Sequence, residues 1–312
     1  MTHTAESERR RGIAFGVAAY VLWGVFPLFF PLLKPAGAGE ILAHRIVWSL
    51  IAVAAVLASR SGFSGLVAAA RDKRTLGLLS LAAVLIAVNW ATFIYAVNSD
   101  HVIESSLGYF ITPLVSVLFG VFVFRERLRP RQIAALAIGA VAVAILAVDY
   151  GRLPWIALTL AASFGTYGLV KKLARVGAAE SLALETLVLL VPALGYIAAI
   201  EAAGTGTFAH LSTGHALLLV ASGPITAVPL LLFSAAVTRV PLTVVGMLQY
   251  LAPVLQFAVG LLIVGEAMPA TRWLGFGLVW LALVILSADG LHASRRTRAP
   301  AEPQLAASRA TG

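Results

Sequence analysis

Long apolar stretches separated by short polar linkers run along the whole of this chain, and they set its fold class. Roughly 20 apolar residues are needed for a helix to cross the hydrocarbon core of a bilayer. Ten stretches come within a few residues of that length: 13–33, 41–59, 76–97, 102–124, 132–148, 154–173, 182–200, 216–237, 242–264 and 271–288. Barrel strands are about half as long and alternate apolar with polar residues; these runs are continuous, which selects helices. A soluble fold has no way to hide them. Of the 312 residues, 60% are apolar and 12% charged, against roughly 45–50% and about 25% in soluble domains. Lipid offers backbone groups no water, and a helix pairs its own. The expected fold is an all-α integral membrane protein of ten transmembrane helices.

The linkers 98–101 and 239–241 are short enough to make their flanking helices antiparallel neighbours. The first run is too long for the h-region of a signal peptide and holds Pro27 and Pro31, so it reads as a span. The first dozen residues and those after Leu291 are polar and are expected to lack fixed structure. The formal charge of +9 is spread over the linkers and tails, a pattern of membrane topology signals that argues against a nucleic-acid partner. With the N-terminus cytoplasmic, 19 Lys and Arg fall inside, three (Lys34, Arg152, Arg272) fall outside, and Arg45 lies within a span. Both termini are therefore expected in the cytoplasm. The absence of Cys excludes disulfides, thiolate catalysis and Cys-based metal sites. No P-loop is present, so ATP is not the evident energy source.

The chain also repeats itself. A shift of 140 lays Phe93, Ala96, Val97, Pro113, Gly120 and Glu126 on Phe233, Ala236, Val237, Pro253, Gly260 and Glu266 without a gap. Glu40 and Leu42 fall on Glu180 and Leu182, and a shift of 141 lays Gly24 on Gly165. Five spans are an odd number, so the two halves are expected upside down relative to each other. The charges agree: linker 60–75 carries four Lys or Arg, and its counterpart 201–215 carries none. The expected organisation is a cytoplasmic tail 1–12, a first five-helix repeat 13–150, a second 151–290 and a basic cytoplasmic tail 291–312. Inverted repeats around a midplane site recur in secondary transporters.

Several motifs match a known family. They are Leu22, Trp23 and Gly24; the run from Glu40 to Arg45; Asn89 and Trp90; Ala96, Val97 and Asn98; the run from Glu104 to Ile111 leading to Pro113; Tyr167, Gly168, Leu169, Val170 and Lys171; and Gln249 and Tyr250 before Pro253. Over residues 12–289 the chain resembles the RarD family of EamA-type transporters in the drug/metabolite transporter superfamily. The resemblance implies a ten-helix secondary transporter in the bacterial cytoplasmic membrane. Members often carry a chloramphenicol-sensitivity label, which describes a phenotype and names no substrate.

A charge in mid-membrane usually faces a partner or a wet cavity. Arg45 either snorkels to the outer surface or binds an anionic group or counter-carboxylate. Glu185, at the equivalent place in the seventh span, is a proton-coupling carboxylate, an anchor for a substrate amine, or the partner of an arginine. His44 either carries protons or packs, and a single His is a poor metal site. Asn89, Trp90, Tyr95, Asn98, Tyr109, Tyr167, Gln249 and Tyr250 make a polar-aromatic set suited to a mostly apolar cavity, with Tyr109 and Tyr250 favoured because each stands shortly before an in-span proline. Trp155, Trp273 and Tyr150 better fit an interfacial belt. Pro27, Pro113, Pro224, Pro229 and Pro253 can kink their spans; Pro113 and Pro253 are the hinge candidates. Gly12 and Gly16 have only a weak GxxxG-type spacing, and Glu126 and Glu266 at helix ends read as structural.

The expected function is secondary active transport of a small organic metabolite or amphipathic drug, as an exporter working by alternating access, with protons as a coupling ion and with no cofactor or metal. A channel or a non-transporting sensor is the rival. An intramembrane enzyme is remote, because no nucleophile–base pair or metal-spaced cluster is present.

Overall fold

The computed structural model describes residues 2–59, 63–125, 127–237, 239–240 and 242–296. The regular structure among them is helical: α1 (Thr2–Phe29), α2 (Ala38–Ser59), α3 (Phe63–Arg71), α4 (Lys73–Asn98), α5 (Val102–Phe124), α6 (Pro130–Asp149), α7 (Trp155–Ala174), α8 (Ala178–Ala202), α9 (Thr213–Val237), α10 (Leu242–Leu248), α11 (Leu251–Val259) and α12 (Ala270–Arg296). A 3₁₀ turn, Phe30–Leu33, extends α1, and a π turn, Gly260–Val264, extends α11. Among the described residues, eight helices are long and apolar enough to cross a membrane: α1, α2, α4, α5, α6, α8, α9 and α12. The chain is an all-α, multi-pass membrane protein.

Three sequence expectations are corrected. The stretch 242–264 is not one helix but breaks at Gln249 and Tyr250. Pro253 has no N–H for the carbonyl four residues back, and a new helix starts where Val254 N donates to Tyr250 O at 3.2 Å. Residues 2–12 form the first turns of α1, with Arg10 paired to Glu6 at 2.9 Å and Arg11 to Glu8 at 3.1 Å. At the other end, α12 runs on to Arg296, and the rest of the basic tail lies outside the described residues. Finally, the linker 60–75 holds the short helix α3. Its Ala69 is buried and Leu66 packs inward, and Asp72 after it caps α4 by accepting from Thr75 N at 2.9 Å. Hydrogen bonds from Thr75 hold that carboxyl below its ordinary range.

Packing pairs helices far apart in sequence. α2 crosses α8 and α9, α7 lies between α4 and α5, α1 lies between α9 and α11, and α6 runs along α12. Ion pairs pin α6 to α12 at both ends: Arg272–Asp149 at 2.9 Å and Arg129–Asp289 at 3.1 Å. Where helices touch most closely, a glycine stands. A Cβ on Gly223 would run into the backbone carbonyl carbon of Trp48, so α2 and α9 meet backbone to backbone. Gly24 makes room instead for the Leu255 side chain of α11, and Gly16 for the Leu248 side chain of α10.

Candidate functional site

Arg45 sits in the second turn of α2 and is buried. Its Nε donates to Thr226 Oγ1 of α9 at 2.6 Å. The Thr226 hydroxyl donates in turn to Ser222 O at 2.8 Å, which leaves its oxygen free to accept. The guanidinium lies 4.1 Å from the Trp90 ring centre and 5.6 Å from those of Phe26 and Phe30, a cage whose ring faces attract a cation. Among the described residues no carboxylate pairs with Arg45, and its buried Nη1 has no hydrogen-bond partner.

Beside this cage, Asn89 and Trp90 are neighbours on α4. The Tyr109 hydroxyl donates to Asn89 Oδ1 at 3.1 Å. Asn89 Nδ2 donates across to α7, to Leu160 O at 3.2 Å and Ser163 Oγ at 3.1 Å. Phe93 stands edge-on to both Phe30 and Tyr109, and Phe164 touches Tyr109 on one side and Tyr167 on the other. Tyr167 leads to Glu185, whose carboxylate is fully engaged. Oε1 accepts from Lys171 Nζ at 2.8 Å and Ser181 Oγ at 2.6 Å, and Oε2 accepts from Tyr167 at 3.1 Å. Lys171 also donates to Ser181. Glu185 is thus paired with a lysine, Lys171, and not with the arginine expected from sequence.

The α8–α9 connection, 203–212, packs over the start of α2. Phe208 stacks on His44 with ring centres 4.5 Å apart. Trp48 Nε1 donates to His44 Nδ1 at 3.3 Å, which leaves Nε2 as the N–H position, buried and without a partner. Glu40 Oε1 accepts from Thr207 N at 2.7 Å and Thr207 Oγ1 at 2.9 Å, and that hydroxyl also meets His215 Nε2.

The structure therefore brings together Arg45, Asn89, Trp90 and Tyr109, with Tyr167 and Glu185 reached through Phe164 and His44 on the rim. Four other sequence candidates lie apart. Tyr95 is 44% exposed and packs on Trp155. Asn98 ends α4, Gln249 is exposed at the helix break, and Tyr250 turns toward α12, where Ser287 donates to its hydroxyl at 3.5 Å. Pro113 lies within the unbroken α5, whereas Pro253 lies in the first turn of α11, just past the break.

Thr226, Phe26, Phe30, Lys171 and Ser181 were not singled out as site residues from sequence. Neither was Gln256, which donates to Trp23 O at 3.1 Å and has a buried, unpaired Oε1. It obeys the same rule that flagged Asn89, a polar amide in mid-span, and was legible. Glu266 is structural in its contacts. It caps α5, accepting from Val102 N at 2.5 Å and Ile103 N at 3.1 Å. Burial raises its carboxyl to about 7, opposed by those two hydrogen bonds. Glu126, its register partner, lies outside the described residues.

The model of the EamA-like transporter family matches residues 10–148. Protein RarD of Streptomyces exfoliatus is 54% identical over 298 residues, 96% of this chain and 95% of that protein. Protein RarD of Escherichia coli is 38% identical over 290 residues, 93% of this chain and 98% of that protein. The chloramphenicol-sensitive protein RarD of Pseudomonas aeruginosa is 30% identical over 291 residues, 92% of this chain and 96% of that protein. A crystal structure with 19% sequence identity shares the fold, with a TM-score of 0.58 over 88% of this chain and 96% of that one.

Proposed function

The chain belongs to the RarD family of EamA-type transporters, and from that premise we propose that it is a secondary active transporter for a small organic solute. It works by alternating access between two inverted five-helix repeats, 13–150 and 151–290, with the tails 1–12 and 291–312 in the cytoplasm. The ten crossings are the eight long helices, α7, and the broken segment α10–α11 with its π turn. The membrane is the bacterial cytoplasmic membrane, and the direction is export. No enzymatic step belongs to this reading.

The observation that carries it is the buried polar site itself: Arg45 of α2 and Trp90 of α4 meet Thr226 of α9, so both halves contribute to one cluster. Support for the inverted repeat comes from matched contacts. Gly24 packs on Leu255, and their partners at shifts of 141 and 140, Gly165 and Val115, pack on each other. Gly16 packs on Leu248, and their partners Ala157 and Gly108 also touch. Asp149 and Asp289, which match at the same register, each close one end of the α6–α12 pair. Two near-equivalent halves can exchange conformations and so expose one site to each side in turn.

The test is solute counterflow in proteoliposomes. A saturable, counterflow-competent flux is expected; an ohmic current without counterflow overturns the carrier in favour of a channel. Proton coupling through Glu185 or His44 is the finer part of the proposal. It predicts transport that responds to an imposed pH gradient and to Glu185→Gln, and indifference to both removes it.

A further inference from the structure

We propose, building on the transporter reading above, that Arg45 is an anion seat and that the transported solute carries a carboxylate on an apolar, preferably aromatic, body. Three observations lead there. The first is charge. Arg45 is buried with no carboxylate partner among the described residues, and a buried cation without a counter-ion is an arrangement that proteins rarely keep unless something supplies the missing charge.

The second is the contrast with the matching position. Glu185 takes the place of Arg45 in the second half and has its counter-ion inside the chain, because Lys171 pairs with it at 2.8 Å. The residue that matches Lys171 at a shift of 141 is Phe30, and Phe30 faces Arg45 with its ring. Where the second half provides an opposite charge, the first provides an aromatic wall. Among the described residues nothing supplies the opposite charge for Arg45, and the proposal is that the solute does.

The third is geometry. Trp90 covers a face of the guanidinium and Thr226 occupies Nε. What remains is in-plane donor capacity, including the unpaired Nη1. A planar acceptor fits such an edge, as a carboxylate does. The polar neighbours do not compete: Tyr109 and Asn89 are hydrogen-bonded to each other, and Asn89 also to α7. The other buried unpaired atom on this stretch of α2, His44 Nε2, is also a donor by the bond at Nδ1. Phe26, Phe30 and Trp90 supply apolar surface for the rest of the solute. An amine would instead meet a buried positive charge.

The experiment is thermal unfolding of the purified full-length protein with three matched series: indole-3-acetate, its amide and tryptamine; benzoate, benzamide and benzylamine; octanoate, octanamide and octylamine. At least one carboxylate is expected to raise Tm by several degrees more than its amide and amine. That increment is lost in Arg45→Gln and partly kept in Arg45→Lys, both of which must unfold cooperatively without ligand. Amides or amines that stabilise as well as the carboxylates, no shift with any carboxylate, or an increment that survives Arg45→Gln each overturn the anion seat. Counterflow with the same compounds separates the two proposals. Counterflow of a neutral or cationic compound alone overturns the anion seat and leaves the carrier standing. Carboxylate binding through Arg45 without counterflow keeps the seat and overturns the carrier.

Discussion

Arg45 of α2 and Glu185 of α8 stand 140 residues apart, the register of the proposed repeat, and both are buried charges in apolar helices. Glu185 is closed: three donors from α7 and α8 satisfy it, one of them the cation Lys171. Arg45 is open: it has one hydroxyl, three aromatic rings and an unpaired nitrogen. Under the proposed repeat, one register position thus serves two ends. A satisfied buried pair holds helices in one arrangement. An unsatisfied charge stores a need that a ligand can meet.

The largest effect that would break this contrast is on stability. Glu185→Gln strands Lys171, and breaking a buried pair costs about 3–5 kcal/mol. Lys171 keeps 24% of its side-chain surface exposed, so a loss of about 3 kcal/mol is expected in chemical unfolding. Arg45→Gln removes a charge that no carboxylate among the described residues balances and is expected to leave stability unchanged or higher. Equal losses in the two variants would mean that Arg45 has a counter-ion after all.

Next comes the helix contact beside each charge. Gly223→Ala drives a methyl into the Trp48 carbonyl carbon and is expected to lower stability by about 2 kcal/mol. At the matching position, residue 83 is already Ala and is buried without strain in the main core. Ala83→Gly is expected to cost about 1 kcal/mol or less in the same unfolding assay.

Trp90→Leu sharpens the comparison from the aromatic side, because the residue matching Trp90 is Leu230. It removes the nearest ring from Arg45, an interaction of about 1–2 kcal/mol when desolvated. The expected result is about tenfold weaker solute binding, measured by titration, with Trp90→Phe in between.

The last effect concerns the helix ends. The Glu266 carboxyl titrates near 7 in the fold, above its ordinary 4.5, because it is buried. Folding therefore takes up a proton between those values. The stabilisation is complete below pH about 4.5 and is lost as pH rises through about 7. Glu266→Gln stays neutral and is expected to flatten that decline, a difference on the order of several degrees in Tm between pH 5 and pH 8.

The crossings were legible because bilayer thickness imposes a length on every apolar run. Eight of the expected spans appear as long apolar helices. The break at Gln249 was not legible, since Pro113 and Pro253 stand at the same register and only one helix is interrupted. The sequence marks where a backbone bond is lost, and neighbouring helices decide whether the helix yields there. Helix α3 was hidden because a helix of nine residues has too short an apolar face to rise above a linker.

Of the site, Arg45, Glu185, Asn89 and Trp90 announce themselves as charges, an amide and an aromatic in otherwise apolar runs. Their partners do not. Phe30 beside Arg45 and Lys171 beside Glu185 come from the ends of other helices, α1 with its 3₁₀ turn and α7, and nothing in a local pattern ties them to either charge. By itself the sequence determined the solvent, the helical class and which positions carry charge, because each is a property of composition or spacing along one chain. Only the tertiary structure decided which charge is paired and which is open, because that depends on which side chains converge when distant helices pack.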